Sequence, residues 1–83
     1  MKAAIAEMLR THRFGYSVSW EEIKNLCDKN HRPIMFDFEF NGFVFRAYTT
    51  DFETRDRYYV FFHDFEQESA LLFKLAYDTV KVD

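Results

Sequence analysis

Two runs of alternating apolar and polar residues flank Asn41-Gly42 in the middle of the chain, in the stretch IMFDFEF-NG-FVFRAYT. A period of two is typical of a β-strand, and Asn-Gly favours the positive φ angles of a type I′ turn. The pattern therefore predicts a β-hairpin with a two-residue loop, and this loop length fixes the register. The predicted pairs are Phe40 with Phe43, Glu39 with Val44, Phe38 with Phe45, Asp37 with Arg46, Phe36 with Ala47, and Met35 with Tyr48.

This register separates the hairpin side chains into two faces. The first face is apolar and needs another layer to cover it; it carries Phe36, Phe38, Phe40, Phe43, Phe45 and Ala47. The second face is mixed and carries Met35, Asp37, Glu39, Val44, Arg46 and Tyr48. On the mixed face, Asp37 and Arg46 are placed for a cross-strand ion pair.

Two helices are predicted before the hairpin. Apolar residues at helical spacing within 3–12 predict the first helix, which Gly15 ends. Ser19 and Glu22 match a capping box that begins a second helix, with Trp20 and Cys27 on its buried side.

One strand and one helix are predicted after the hairpin. The segment RYYVFFH, residues 57–63, is rich in aromatic and β-branched residues and predicts a third strand. Asp64 and Gln67 suggest a cap for a closing helix over about 65–80, whose apolar stripe is Leu72, Leu75, Ala76 and Thr79. The predicted fold is one α+β domain over residues 1–83, a three-stranded antiparallel meander in the order ααβββα with its helices mainly on one face.

Composition and charge narrow the class of protein. Aromatic residues make up 20% of the 83 residues, enough apolar bulk to stabilise a small core without disulfides. A single cysteine, Cys27, favours a reducing compartment, and we expect a cytoplasmic protein with no membrane span.

The two halves of the chain differ in charge. Residues 1–33 hold six Lys and Arg against four acids, whereas residues 34–83 hold five against ten. An acidic chain makes nucleic acid an improbable partner.

No motif in the sequence indicates catalysis, a cofactor or a metal ion. The three histidines are scattered and match neither a zinc nor a nucleophile motif. The tripeptide Asp-Phe-Glu occurs three times, beginning at Asp37, Asp51 and Asp64, but the three copies fall in different predicted elements. A structural repeat would reuse one element, so we interpret the triplets as a coincidence of composition. We expect a protein that is not an enzyme.

The candidate binding surface lies on the mixed face, next to the third strand. There Tyr58, Val60 and Phe62 alternate with Tyr59 and Phe61, and only one set can join the core. We expect the first set to be buried and the second to lie beside Tyr48 as an exposed aromatic patch. Such patches often mark interfaces. The predicted partner-binding residues are Tyr48, Tyr59, Phe61, Asp37, Glu39 and Arg46. The alternative is that a helix, or the N-terminal segment with Phe14 and Tyr16, covers this patch.

These observations favour a non-enzymatic protein-binding module that occupies the surface of a protein partner. In size, acidity and lack of a cofactor the chain is similar in kind to the small inhibitors of bacteriophages and other mobile elements, anti-CRISPR proteins among them. Two alternatives remain at this point. One is a nucleic-acid module that stacks bases on Tyr48, Tyr59 and Phe61, and the other is a homodimer that buries the patch against a second copy.

Overall fold

The computed structural model describes residues 14–27 and 31–82, in which five strands form one antiparallel sheet. The strands are β1 (Phe14–Ser19), β2 (Met35–Phe40), β3 (Phe43–Tyr48), β4 (Arg57–Phe62) and β5 (Thr79–Lys81). The helices are α1 (Trp20–Ile23) and α2 (Gln67–Ala76), with 3-10 turns at Lys24–Leu26 and Asp64–Glu66. The predicted helix over residues 3–12 lies outside the described residues.

The sheet corrects the predicted three-stranded meander with the order ααβββα. Its strand order is β2-β3-β4-β1-β5, so β1 pairs with both β4 and β5. The class is α+β with an antiparallel sheet, as expected, but β1 and β5 were not predicted. The sequence analysis interpreted Gly15 as the end of a helix, although Phe14, Tyr16 and Val18 alternate with small residues as in a strand. It also assigned Thr79 and Val80 to the closing helix.

Gly15 has a packing role inside β1. It pairs with Phe61 of β4, and a Cβ atom built on Gly15 would lie 2.4 Å from Cδ1 and 2.7 Å from Cε1 of that ring. Only glycine leaves room for the Phe61 side chain to lie across the β1 backbone. A glycine inside a strand can mark such a close approach as well as a break.

The central hairpin is confirmed, with all six predicted residue pairs between β2 and β3. Asn41 and Gly42 have φ angles of 53° and 83°, the left-handed values that a type I′ turn requires. The Asn41 side-chain amide donates a hydrogen bond to Ser69 Oγ at 3.0 Å, which connects the turn to α2. The hairpin is therefore joined to the helical layer at its tip.

Helix α1 is one turn long and begins as predicted. The Ser19 hydroxyl accepts a hydrogen bond from the Glu22 amide at 3.3 Å, which caps the helix. Trp20 and Ile23 are buried, and Cys27 packs partly buried against the core. Cys27 thus contacts the core as predicted, but it follows the 3-10 turn in an extended conformation and does not lie on the helix.

Helix α2 is shorter than the predicted closing helix and buries a different side. Its buried residues are Ser69, Ala70 and Phe73, whereas Leu72 and Leu75 are exposed. Of the predicted stripe, Thr79 lies in β5, and Leu72, Leu75 and Ala76 form an exposed side of α2, so the stripe is not the buried face. The position of the helix is decided by Phe73, whose ring contacts Tyr16, Phe38, Phe40, Phe62 and Tyr77.

Both described helices pack on the apolar face of the sheet, where the core lies. Phe73 of α2 and Trp20 of α1 contact rings of β2, and Tyr58 lies under Trp20 with 5.5 Å between ring centroids. Offset and edge-to-face ring pairs of this kind contribute beyond the area that they bury. We call this side the core face and the opposite side the open face.

Two loops hold the start of β2 in place. Arg32, which precedes β2, forms an ion pair with Asp56 of the loop before β4. Arg55 Nη1 donates a hydrogen bond to the Arg32 carbonyl oxygen at 2.7 Å. The Tyr58 hydroxyl donates to the Pro33 carbonyl oxygen, and burial raises the pKa of Tyr58 above its usual value. The chain thus enters β2 from a fixed position.

Candidate functional site

The register places all six residues predicted to bind a partner on the open face. β2 contributes Asp37 and Glu39, β3 contributes Arg46 and Tyr48, and β4 contributes Tyr59 and Phe61. Tyr48 is directly opposite Tyr59. The complementary prediction is confirmed, because Tyr58, Val60 and Phe62 are fully buried in the core. Arg57 lies two residues before Tyr59 in β4 and therefore belongs to the open face as well. Sequence reasoning did not include this basic residue in the site.

The centre of the open face is not the exposed aromatic patch that the sequence predicted. Tyr48 and Phe61 have only 6% and 5% of their surface exposed, and Tyr59 is partly buried. Phe61 obtains part of this burial from its contact with the Gly15 backbone. The N-terminal residues Phe14 and Tyr16, proposed as an alternative cover, belong to β1 on the core face.

Exposed apolar surface on this face comes from other residues. Val44 is 70% exposed and Met35 is 45% exposed. Val44 lies opposite Glu39 and Met35 lies opposite Tyr48, so the two mark opposite ends of the hairpin face. A partner would therefore meet aliphatic side chains and the edge of Tyr59 before it met Tyr48 or Phe61.

A bidentate ion pair lies between these apolar residues. Arg46 Nε is 2.6 Å from Asp37 Oδ1, and Arg46 Nη2 is 3.3 Å from Oδ2. The guanidinium hydrogen bond holds the pKa of Asp37 below its usual value, and the carboxylate raises the pKa of Arg46 further. Glu39 forms no ion pair with any residue in the ranges 14–27 and 31–82. Asp37, Glu39 and Arg46 are two acids and one base, so together they carry a net negative charge.

A shallow cavity of about 280 Å³ opens beside the ion pair. It is lined by Asp37, Val44, Phe45, Arg46, Tyr48, Phe61, His63 and Glu66. Sequence reasoning did not connect His63 or Glu66 with this face. The buried Glu66 carboxylate accepts a hydrogen bond from the His63 amide at 3.2 Å, so the cap of this corner is His63–Glu66 and not the predicted Asp64 and Gln67.

Three polar residues around the cavity make contacts within the protein. Asp37 pairs with Arg46, Glu66 closes the turn after β4, and the His63 ring stacks on Phe65 at 5.3 Å. Within the described part of the chain, no three His, Cys, Asp or Glu residues lie close enough to hold a metal ion.

The three Asp-Phe-Glu triplets occupy unrelated positions. The first lies in β2, and the third forms the 3-10 turn before α2. In the second, Asp51 Oδ1 accepts hydrogen bonds from the amides of Glu53 and Thr54, both at 3.1 Å, within a loop. No common surface joins them, in agreement with the interpretation as coincidence.

No family model matches this sequence, and comparison with curated proteins and with solved structures found no similar chain. None of the helices formed by residues 14–27 and 31–82 is both long enough and apolar enough to cross a membrane. The argument for function therefore depends on the surface chemistry of the described residues.

Proposed function

We propose that this chain is a non-enzymatic, cytoplasmic protein-binding module and that the open face of its sheet is the contact surface. The observation that carries the proposal is the exposure of Val44 and Met35 on a sheet face that also carries Glu39 and the Asp37–Arg46 ion pair. Protein interfaces combine apolar contacts with polar and charged groups, and this face offers both. Neither Val44 nor Met35 belongs to the buried core cluster on the opposite side of the sheet.

The charge of this surface supports a protein partner with a basic patch. Asp37 and Glu39 lie at one margin of the face, and residues 34–83 as a whole carry a net charge of −5, from five Lys and Arg against ten acids. In this proposal the module acts by occupying its partner's surface, as a small inhibitor does. Charge complementarity would raise the rate of association and select among partners.

A nucleic-acid function has less support on the same face. Single-stranded bases stack on exposed aromatic rings that are flanked by Lys and Arg. Tyr48 and Phe61 are buried here, and Arg46 is held by Asp37. Tyr59 alone would leave a stacking platform of one partly buried ring.

The test is affinity capture from an extract of the source cells with two matched variants. Val44→Asp places a charge on the open face, whereas Leu71→Asp places the same charge on the exposed side of α2. We expect wild type and Leu71→Asp to retain the same protein, and Val44→Asp to lose it, with nuclease treatment making no difference. Equal retention by both variants, or retention that nuclease abolishes, would contradict the proposal.

A further inference from the structure

No described strand pairs with the outer edge of β2. Among the five described strands, β2 stands at one end of the order and pairs with β3 alone. Among the described residues, no backbone hydrogen bond outside the sheet involves residues 35–40. An edge strand presents a row of N–H and C=O groups that can pair with another chain.

The register identifies which backbone groups point outward. The Thr49 amide donates to the Ile34 carbonyl oxygen at 2.9 Å, so these two residues form a hydrogen-bonded pair. Pairs alternate in an antiparallel ladder, which makes Phe36, Phe38 and Phe40 the residues that bond to β3. The N–H and C=O groups of Met35, Asp37 and Glu39 therefore point away from the sheet.

The two edges of the sheet differ in how they resist pairing. β5, at the other end, has three residues and ends in Lys81, and both features discourage strand addition. β2 has six residues with no proline, no lysine and no bulge in its pairing with β3. Its entry is also fixed by the Arg32 and Tyr58 contacts described above. β2 is accordingly the longer of the two edges, and its charged side chains are the two acids Asp37 and Glu39.

The side chains of β2 determine the chemistry of the strand that fits. In an antiparallel pair, residues opposite Asp37 and Glu39 lie on the open face, where unlike charges stabilise and like charges destabilise. A second copy of β2 centred on Phe38 would place Asp37 against Glu39 of the other molecule. The same acids attract Lys or Arg at alternate positions. Intervening residues would lie beside Phe36 and Phe38 and should be apolar.

We propose that β2 binds an extended partner segment as a sixth strand, and that this segment carries basic residues alternating with apolar ones. The inference rests on the proposed function and names the class of partner segment. Backbone hydrogen bonds to Met35, Asp37 and Glu39 would supply affinity, and the two carboxylates would supply selectivity.

The probe is a blocked seven-residue peptide of alternating Lys and Val, added to the full ¹⁵N-labelled chain. We expect the amides of Met35, Asp37 and Glu39 to become protected from hydrogen exchange, while those of Phe36 and Phe38 are protected with or without peptide. A peptide with Glu in place of Lys should bind at least about five-fold more weakly. Binding without protection of the three outward amides would overturn the proposal.

Two substitutions separate backbone pairing from charge. Met35→Pro removes an outward amide at the first residue of the strand, where proline is tolerated, and Met35→Ala keeps that amide. Met35→Pro should weaken the Lys-Val peptide about ten-fold relative to Met35→Ala. Glu39→Lys should reverse the preference, so that the Glu-Val peptide binds more tightly than the Lys-Val peptide. Glu39→Lys leaves the backbone intact. The peptide preference of this variant therefore tests the proposal even if Met35→Pro fails to fold.

The remaining outcomes distinguish this inference from the proposed function. Self-association of the wild-type chain that Met35→Pro abolishes would make a second copy the occupant and overturn the choice of a basic segment. If the Lys-Val peptide fails to bind while capture still depends on Val44, the edge inference is wrong and the function stands. If capture is insensitive to Val44, the proposed function itself is wrong.

Discussion

The two faces of the sheet are built from the same strands but differ in how their side chains are used. On the core face, Phe73 joins rings from β1, β2 and β4 in one continuous aromatic cluster. On the open face, the Asp37–Arg46 pair and the exposed Val44 line one cavity with the buried residues Tyr48 and Phe61. Neighbouring residues in one strand therefore lie in turn in the buried core and on the face that we propose binds a partner. Phe61 also shows that a ring can be buried without facing the core.

The largest effect expected from this comparison is on the core face. Phe38→Ala removes a buried ring that contacts Phe36, Phe45 and Phe73, and should cost about 3–5 kcal/mol of unfolding free energy. Glu39→Ala, one residue along but on the open face, should change it by less than about 0.5 kcal/mol. Chemical denaturation measures both values, and similar costs would mean that the faces are not distinct.

The next effect concerns the close approach between β1 and Phe61. Gly15→Ala introduces a Cβ atom into the ring and should cost about 1–3 kcal/mol, as overpacking does. Ser17→Ala, on the same strand and face, is the matched control and should be nearly neutral. Adding Phe61→Leu to Gly15→Ala should recover part of the loss if the clash is its cause. A Gly15→Ala variant as stable as Ser17→Ala would contradict this account of the open face.

Tyr59 and Tyr48 should separate binding from folding on the open face. Tyr59 is partly exposed, so Tyr59→Ala should weaken partner binding by about 1–2 kcal/mol and leave the melting temperature nearly unchanged. Tyr48 is 94% buried, so Tyr48→Ala should lower the melting temperature. The sequence alone predicted the same behaviour for both. Titration calorimetry measures the binding of the two variants, and thermal unfolding measures their stability. A loss of stability in Tyr59→Ala would contradict the expected difference between the two tyrosines.

The smallest effect is the pH dependence of the Asp37–Arg46 pair. The pKa of Asp37 is lowered in the folded state, so its stabilising contribution is present above the unfolded pKa of about 4 and is lost as pH falls through the folded value. The difference in stability between wild type and Asp37→Asn should therefore shrink between about pH 6 and pH 2. Added salt at neutral pH should shrink it as well, because both side chains are about half exposed. If the difference in stability between wild type and Asp37→Asn does not vary with pH, the ion pair is not its cause.

The hairpin was predictable because its signals are local. Asn41-Gly42 selects the turn, and the turn determines every pair between β2 and β3. β1 was missed because Gly15 was interpreted as the end of a helix, and β5 because a strand of three residues is too short to show a period; both strands are stabilised by partners far along the chain. The alternation of Phe14, Tyr16 and Val18 was a visible signal for β1.

The site was predictable to the same extent. Alternate residues of a strand point to the same face of a sheet. The register of β2, β3 and β4 therefore puts all six predicted residues on one face. The burial of Tyr48 and Phe61 depends on tertiary contacts such as the one with Gly15, and these leave no periodic pattern. His63 and Glu66 reach the same cavity only because the chain turns sharply after β4.

The strand order also has a consequence for the kinetics of folding. The hairpin of β2 and β3 can form within microseconds, because its two strands are separated by two residues. β1 must instead pair with β4 across the whole hairpin, and Val18 must find Thr79 near the other end of the described chain. Closing such long loops slows folding, so we expect the transition state to contain the hairpin while β1 and β5 join afterwards. Substitutions in β1 would then accelerate unfolding, whereas those at the hairpin turn would slow folding itself.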